Sequence, residues 1–230
     1  MELSLEKRCI RKEEKMTTYE FISSNIDKTT KSHLNMRNGE ETLIVLPYPF
    51  TTPCIDGTFQ EMYYWDTFFT NKGLYLLGRK EQAVNNIRNM AYLLETYGKI
   101  PNGNRTWYLD HSQPPFFGCM LEDALCFAPE LLTLDEAFSW LEKEYSFWQT
   151  KRQTKSGLNC YSSDKSEQEL ISGAVELYEA RTGIHLENTV ENGRNVIAEC
   201  ETGWDFSPRF NARCTAYNPV DLNCLLYKDE

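Results

Sequence analysis

The 230-residue sequence has few histidines, no long apolar run and a deficit of positive charge. Three histidines and eight cysteines without a C-x-x-C pair do not give the ligand spacing of a zinc site, so we expect no metal and no cofactor. No stretch approaches the roughly eighteen apolar residues of a membrane span. The charge of −10, from 34 acidic and 24 basic residues, argues against nucleic acid or an anionic membrane as a partner.

The N-terminus carries no sign of an export signal. Its first residues, MELSLEKRCIRKEEKM, are polar and charged and contain no apolar core. The cysteines are scattered and form no regular framework, which is typical of reduced thiols. We therefore expect a cytoplasmic protein.

The chain divides into a polar leader, residues 1–40, and one folding unit, residues 41–230. The run TLIVLPYPF after Glu41 predicts a short extended segment that its two prolines end. Apolar residues then recur at helical spacing, and Gly and Pro mark where the helices end or begin. Helices are predicted at Thr17–Ile26, at Trp65–Leu77, at 79–97, from the capping box at Thr133, at Ser166–Ala180 and from Asn218 with Pro219 at its first position.

Four polar and aromatic segments lie between these helices. They are DGTFQEMYYWDTFF (Asp56–Phe69), IPNGNRTWYLDHSQPPF (Ile100–Phe116), GLNCY (Gly157–Tyr161) and ETGWDFSPRF (Glu201–Phe210). Long helices joined by such loops indicate an all-α toroid whose loops meet at a pocket, and loops often carry function. Aromatic rings beside amides and carboxylates suit a small carbohydrate ligand. The same composition is also found in well-ordered surface turns.

In this order, these segments resemble the motifs of the trehalase family of glycoside hydrolases. That family has motifs like P-G-G-R-F-x-E-x-Y-x-W-D, P-N-G-N-R-x-Y-Y-L-x-R-S-Q-P-P, L-N-R-Y and S-G-W-D-F-S-S-R-W, followed by a D-L-N helix. Here the corresponding stretches are DGTFQEMYYWD, PNGNRTWYLDHSQPP, LNCY, TGWDFSPRF and VDLNCLLY. The resemblance runs from about Thr51 to Tyr227.

The resemblance implies an (α/α)6 toroid of the six-hairpin glycosidase type, represented here by its N-terminal portion. It also implies hydrolysis of α,α-trehalose, or a related glucoside, with inversion. By the same resemblance Asp205 is the general acid, and a set of further residues lines the glucose pocket. This set is Phe59, Tyr63, Trp65, Asp66, Asn102, His111, Ser112, Gln113 and Gly203.

Inverting hydrolysis needs two carboxyl groups. One donates a proton to the leaving oxygen, and the other, about 6.5–9.5 Å away, activates water. Asp205 stands between Trp204 and Phe206, and desolvation by such rings raises the pKa of a carboxyl group. A helix N-cap following Gly203 is the other interpretation of Asp205.

The sequence departs from the family at positions that carry arginine there. Thr58, His111 and Cys160 stand at those positions, and SSDKSEQELIS stands where an R-P-E-S stretch is expected. Thr and Cys do not replace a bidentate guanidinium group. We expect His111 to keep a hydrogen-bond donor, and nearby arginines are the candidates to compensate. These candidates are Arg105, Arg209 and Arg213.

The general base has no counterpart in these 230 residues. In the family it is a glutamate far downstream, whereas Glu61, Asp66 and Glu201 are only candidates to approach Asp205. We therefore expect a companion chain or a further half to supply the base. Two alternatives to a hydrolase stay open: a degenerate protein that binds sugar without cleaving it, and a truncated product that does not fold stably.

Overall fold

The computed structural model describes residues 16–32 and 41–230 and is predominantly helical. Short 3-10 turns at Ile26–Thr29, Thr106–Tyr108 and Cys214–Ala216 connect some of the elements. The helices of the described residues are α1 (Thr18–Asn25), α2 (Tyr64–Leu76), α3 (Lys80–Tyr97), α4 (Phe117–Phe127), α5 (Leu134–Lys151), α6 (Glu167–Leu170), α7 (Ala174–Thr182), α8 (Val190–Glu201) and α9 (Val220–Asp229).

The helices predicted from periodicity and caps form close to the expected bounds. In α3 the apolar stripe is buried, and the helix ends just before Gly98. The Thr133 side chain accepts a hydrogen bond from the Glu136 backbone and begins α5 as a capping box. At α9 the prediction was one residue early, because Pro219 is the N-cap and the helix begins at Val220.

Two helices of the described residues were not predicted from the sequence, and one predicted helix is divided into two. Helices α4 and α8 form where the sequence was interpreted as loop or left unassigned. The predicted helix Ser166–Ala180 splits into α6 and α7, because Gly173 between them has φ 93°, a left-handed conformation that ends one helix and redirects the next.

The predicted extended segment is wrong in its bounds, because only the last residue of TLIVLPYPF, Phe50, lies in a strand and that strand follows both prolines. Strand β1 (Thr30–Lys31) pairs antiparallel with β2 (Phe50–Thr51), with Thr30 opposite Thr51. Residues 1–15 and 33–40 of the predicted leader lie outside the described residues, and the domain boundary at residue 40 stays a prediction.

Apolar burial joins the helices in three clusters. The largest packs α2, α3, α4 and the start of α5 together, with Phe117 and Met120 fully buried. A second joins α5 to α9 around Trp148, and a third joins α6, α7 and α8 around Leu170. Each side chain of this kind contributes about 1.5–3 kcal/mol by its burial, so these clusters fix the loops between the helices. No helix of the described residues is long and apolar enough to cross a membrane.

Candidate functional site

Loops and helix ends surround a cavity of about 620 Å³. Its size is that of a small-molecule site. Seven of the nine residues predicted for the sugar pocket line it together with Asp205, namely Phe59, Tyr63, Asp66, Asn102, His111, Gln113 and Gly203. Three of the four predicted segments therefore meet at one place, although they are separated by up to about 140 residues in the chain.

The start of α2 supplies an aromatic wall. The Tyr63 ring lies edge-on to Phe59 and to Tyr108, with ring centroids 5.9 and 5.6 Å apart. Its hydroxyl donates to Glu61 at 2.9 Å and lies 3.2 Å from the Tyr108 hydroxyl. Burial, then the neighbouring Tyr108 and Glu61, raise the pKa of Tyr63, so this phenol stays protonated. The wall offers ring faces and edges that suit the C–H surface of a sugar.

The second loop, Ile100–Phe116, is held in place by hydrogen bonds that involve main-chain groups. The Asn102 backbone N–H donates to the His111 carbonyl, and the Asn102 carbonyl accepts from the Tyr64 backbone, both at 3.0 Å. The Gln113 side-chain oxygen accepts from the Trp65 backbone at 3.0 Å, at the start of α2. These bonds fix the loop against α2, so the polar groups of the cavity wall are preorganised.

Asp205 lies in a tight turn directly after α8. Buried Glu199 closes the turn, because its carboxylate accepts from the Ala212 backbone N–H at 2.8 Å. Gly203 begins the turn with φ 69° and lies directly over the Trp65 ring. Asp205 itself is exposed at the cavity.

The surroundings of Asp205 differ from both interpretations of the sequence, a carboxyl group enclosed by Trp204 and Phe206 and a helix N-cap. The next helical segment in the described chain after α8 is the 3-10 turn at Cys214, so Asp205 caps no helix. Trp204 is 51% exposed, and its ring packs on Trp65 with centroids 5.8 Å apart. Phe206 packs on Tyr178 with centroids 5.2 Å apart. The two rings that flank Asp205 in the sequence are therefore engaged elsewhere and do not enclose its carboxyl group.

Asp66, in the first turn of α2, is the second carboxyl group of the predicted set at this cavity. Burial raises its pKa, and the like charge of Asp205 acts in the same direction, against hydrogen bonds from its own backbone and from Trp65. Of the three carboxylates considered as neighbours of Asp205, only Asp66 lines the cavity. Its environment therefore makes Asp66 a weaker acid than an exposed aspartate.

The other two carboxylates are tied into the structure. Glu201 is fully buried and accepts from Arg152 at 2.8 Å through each of its oxygens. The backbones of Ser112 and Ser162 donate to the same carboxylate at 2.8 and 2.7 Å. Glu61 is paired with an arginine and accepts from Tyr63. Neither group is free to act on a ligand.

Two predicted pocket residues do not line the cavity. Trp65 packs beneath Gly203 and Trp204. Ser112 is fully buried, and its hydroxyl donates to the Ile100 carbonyl at 2.6 Å. Both residues therefore support the wall, and direct sugar contact by them stays a prediction.

The third predicted segment lies away from the cavity. The Asn159 side chain donates to the Trp148 carbonyl at 2.7 Å, and its backbone donates to Asn223 at 2.8 Å. Tyr161 is fully buried and packs edge-on to Trp148. GLNCY thus joins α5 to α9. One wall of the cavity is formed instead by residues around α6 and α7, which the sequence analysis did not predict: Lys165, Glu169, Ser172, Gly173, Ala174, Leu177 and Arg181.

The arginines considered as substitutes for the family's guanidinium groups do not line the cavity. Arg105 pairs with Glu61 and lies over the Trp107 ring, 5.0 Å from its centroid. Arg209 pairs with Asp221, and Arg213 is exposed. The cations on the cavity wall are Lys165 and Arg181, and Lys165 lies in the SSDKSEQELIS stretch that departs from the family.

A charged cluster joins the second loop to the cavity wall around α6 and α7. Asp110 accepts from His111 Nδ1 at 2.7 Å and pairs with Lys165 Nζ at 3.0 Å. Burial alone would raise the pKa of Asp110, but His111 and Lys165 lower it to about 2. Because an ionised carboxylate only accepts hydrogen bonds, Nδ1 of His111 carries a proton. His111 therefore keeps a hydrogen-bond donor, but this N–H group donates to Asp110.

The described residues contain no group of three or more His, Cys, Asp or Glu side chains placed to hold a metal ion. Within the same residues the seven cysteines at 54, 119, 126, 160, 200, 214 and 224 are free.

Comparison with known proteins assigns these features to one family. The family model described as Trehalase matches residues 5–230. A periplasmic trehalase of Xanthomonas campestris pv. campestris (strain B100) is 34% identical over 233 residues, covering 90% of this chain and 40% of that protein. A periplasmic trehalase of Xanthomonas axonopodis pv. citri (strain 306) is 35% identical over 211 residues, covering 81% of this chain and 36% of that protein. The chain thus spans about two fifths of the length of these relatives.

Among solved structures, the chain is similar to neutral trehalase Nth1 from Saccharomyces cerevisiae. The TM-score is 0.66 at 26% identity, over 93% of this chain and 44% of that one. This likeness confirms the predicted fold class, an all-α toroid of which this sequence covers part.

The predicted cytoplasmic location is wrong. The relatives from Xanthomonas, and a similar one from Escherichia coli O139:H28, are named periplasmic trehalases. The prediction depended on two absences, of an apolar export core and of a regular cysteine framework. Neither absence is a physical property that confines a chain to one compartment.

Proposed function

Because the chain belongs to the trehalase family, we propose that it acts in the hydrolysis of α,α-trehalose to glucose, with inversion at the cleaved centre. The observation that carries the proposal is the meeting of Asp205 and Asp66 with an aromatic wall in one cavity of about 620 Å³. Trehalose is a neutral sugar, which agrees with a cavity that combines ring faces, amides and carboxyl groups. The relatives that are named trehalases support this substrate.

We assign the role of general acid to Asp205. Its carboxyl group is exposed at the cavity, so a glycosidic oxygen can reach it without displacing protein. A general acid must lie within hydrogen-bond reach of the leaving oxygen, and the position of Asp205 on the cavity wall allows this.

Asp66 is proposed to bind the sugar, because it belongs to the set that the resemblance places at the glucose pocket and it lines the cavity. Its burial raises its pKa, which makes it a weaker acid than an exposed aspartate. Its carboxyl oxygens can accept hydrogen bonds from sugar hydroxyl groups.

The general base is proposed to come from outside these residues, from a further part of the protein or from a companion chain. The remaining carboxylates of the cavity support this. Asp110 is committed to His111 and Lys165, and Glu169 caps α6 through Ser166. An inverting enzyme needs a base on the face opposite the acid, and neither group is free to fill that role.

A second candidate function is sugar binding without cleavage. It is favoured by Thr58 and Cys160, which stand where the family has arginines. None of the arginines expected to compensate for them lines the cavity.

Proton NMR of trehalose incubated with the protein, together with the part or companion chain that supplies the base, tests the proposal. We expect α- and β-glucose to appear in equal amounts at first, because inversion releases the glucose of the cleaved centre as the β-anomer while the leaving glucose keeps its α configuration. Retention would release the α-anomer alone. Asp205→Asn should reduce the rate by roughly a hundred- to ten-thousandfold, because it removes the proton donor. Asp56→Asn, an exposed acid that does not line the cavity, is the control and should keep the rate.

Two outcomes would contradict parts of this account. Cleavage that survives Asp205→Asn removes the assignment of the acid. Binding of trehalose by a folded sample that includes the source of the base, with no glucose released, supports the second candidate function instead.

A further inference from the structure

Lys165 stands at the edge of the cavity, in the stretch that replaces the expected R-P-E-S motif. Its side chain is 27% exposed, whereas that of its partner Asp110 is 14% exposed. An ammonium group has three N–H donors, and Asp110 is the partner of this one among the described residues. Donors therefore remain for a ligand in the cavity.

The position of Lys165 is fixed by the backbone around it. The Lys165 backbone N–H donates to the Ser163 hydroxyl at 3.1 Å. The Asp164 backbone N–H donates to the Asp110 carbonyl at 2.8 Å, and the Asp164 side chain accepts from buried Arg152, also at 2.8 Å. This segment is tied to the second loop by both main chain and side chains, and the ion pair with Asp110 holds the Lys165 ammonium group at the cavity before a ligand binds.

The charges of the cavity favour an uncharged ligand over an anionic one. Asp110 neutralises Lys165, which leaves Arg181 as the other cation on the wall. The remaining carboxyl groups are Asp66, Glu169 and Asp205. A phosphorylated sugar would meet these groups as like charges, whereas a neutral sugar hydroxyl can accept from an ammonium group that is already paired.

We propose that Lys165 is a sugar-binding residue that donates a hydrogen bond to a hydroxyl group of an uncharged disaccharide. This inference rests on the proposed function, because it takes trehalose as the ligand. It assigns to an ammonium group, held by Asp110 next to His111, the contact that guanidinium groups were expected to make.

Calorimetric titration with trehalose tests the role. Lys165→Met keeps the aliphatic stem and removes the donors, so we expect the dissociation constant to rise roughly ten- to hundredfold, the usual effect of losing a hydrogen bond to a charged group. Lys165→Arg restores donors and should recover part of the affinity. Lys155→Met is the matched control, an exposed lysine outside the cavity, and should bind within about twofold of the unmodified protein. The thermal midpoint of each variant shows that it is folded.

Three results separate this inference from the proposed function. Equal affinity of the unmodified protein and Lys165→Met overturns the role of Lys165 and leaves the proposed function intact. Tighter binding of trehalose 6-phosphate than of trehalose, lost in Lys165→Met, overturns it in favour of an anion site. Absence of trehalose binding by the folded, unmodified protein overturns the proposed function, and the inference with it.

Discussion

At the scale of single residues, the turn that carries Asp205 depends on one close contact. Gly203 has φ 69°, and a Cβ atom added there would lie 2.7 Å from two ring atoms of Trp65. Only glycine meets both conditions without cost, because other residues are strained at this φ and lack the space. The approach of backbone to ring therefore positions Asp205 at the cavity.

Replacement of this glycine has a testable cost. We expect Gly203→Ala to lower the free energy of unfolding by about 2–4 kcal/mol, from a left-handed alanine and an overpacked Trp65. Gly157→Ala is the matched control, since Gly157 has φ 84° and nothing within 4 Å of an added Cβ. It should lose only about 1 kcal/mol of backbone strain. Urea unfolding measures both, and equal losses would show that the contact with Trp65 is unimportant.

The family-like motifs identified some of the residues that line the cavity and missed others. Asp66, Asn102, Gln113 and Asp205 were found because they stand inside recognisable segments, and all four line the cavity. Lys165 stands in a segment that departs from the family, so neither composition nor spacing marked it. Its place became visible only in the structure, through contacts such as the ion pair with Asp110 across a separation of 55 residues in the chain.

At the scale of elements, periodicity predicted helices whose apolar stripe is regular. Helix α3 buries one such stripe. Helix α8 was missed because its buried face includes asparagine and glutamate, among them Asn195, Glu199 and Glu201, which an apolar pattern does not count. Those polar residues are buried because they bind backbone groups of the neighbouring loops, a tertiary effect that local sequence does not encode.

A buried ion pair links the C-cap residue of α5, Arg152, to Glu201 at the end of α8. Arg152 and Glu201 are both buried, with side chains 1% and 0% exposed. Arg152→Met leaves the Glu201 carboxylate buried without its counter-ion, so we expect a loss of about 3–5 kcal/mol in the free energy of unfolding. Thermal or urea unfolding of the variant measures this loss.

An exposed ion pair supplies the control for that experiment. Arg79 and Asp27 have side chains 46% and 63% exposed, and solvent screens such a pair. Arg79→Met should therefore change the free energy of unfolding by less than about 1 kcal/mol. If Arg152→Met lowers the free energy of unfolding by no more than Arg79→Met does, the pair with Arg152 does not stabilise buried Glu201.

At the scale of the whole molecule, the fold brings together loops that are distant in sequence. The cavity joins the segments before α2, before α4, around α6 and α7, and after α8. The sequence predicted the toroid and three of these segments through ordered motifs. It did not predict the fourth, because GLNCY forms its contacts with α5 and α9, and the α6–α7 break at Gly173 occupies its expected place.

Hydrogen exchange of the protein with and without the sugar, followed by mass spectrometry, tests directly whether this cavity binds trehalose. We expect slower exchange in peptides that cover 59–66, 102–113, 163–177 and 200–205, with no change in peptides of α5 or α9. Slower exchange confined to other parts of the chain, or none at saturating trehalose, would contradict it.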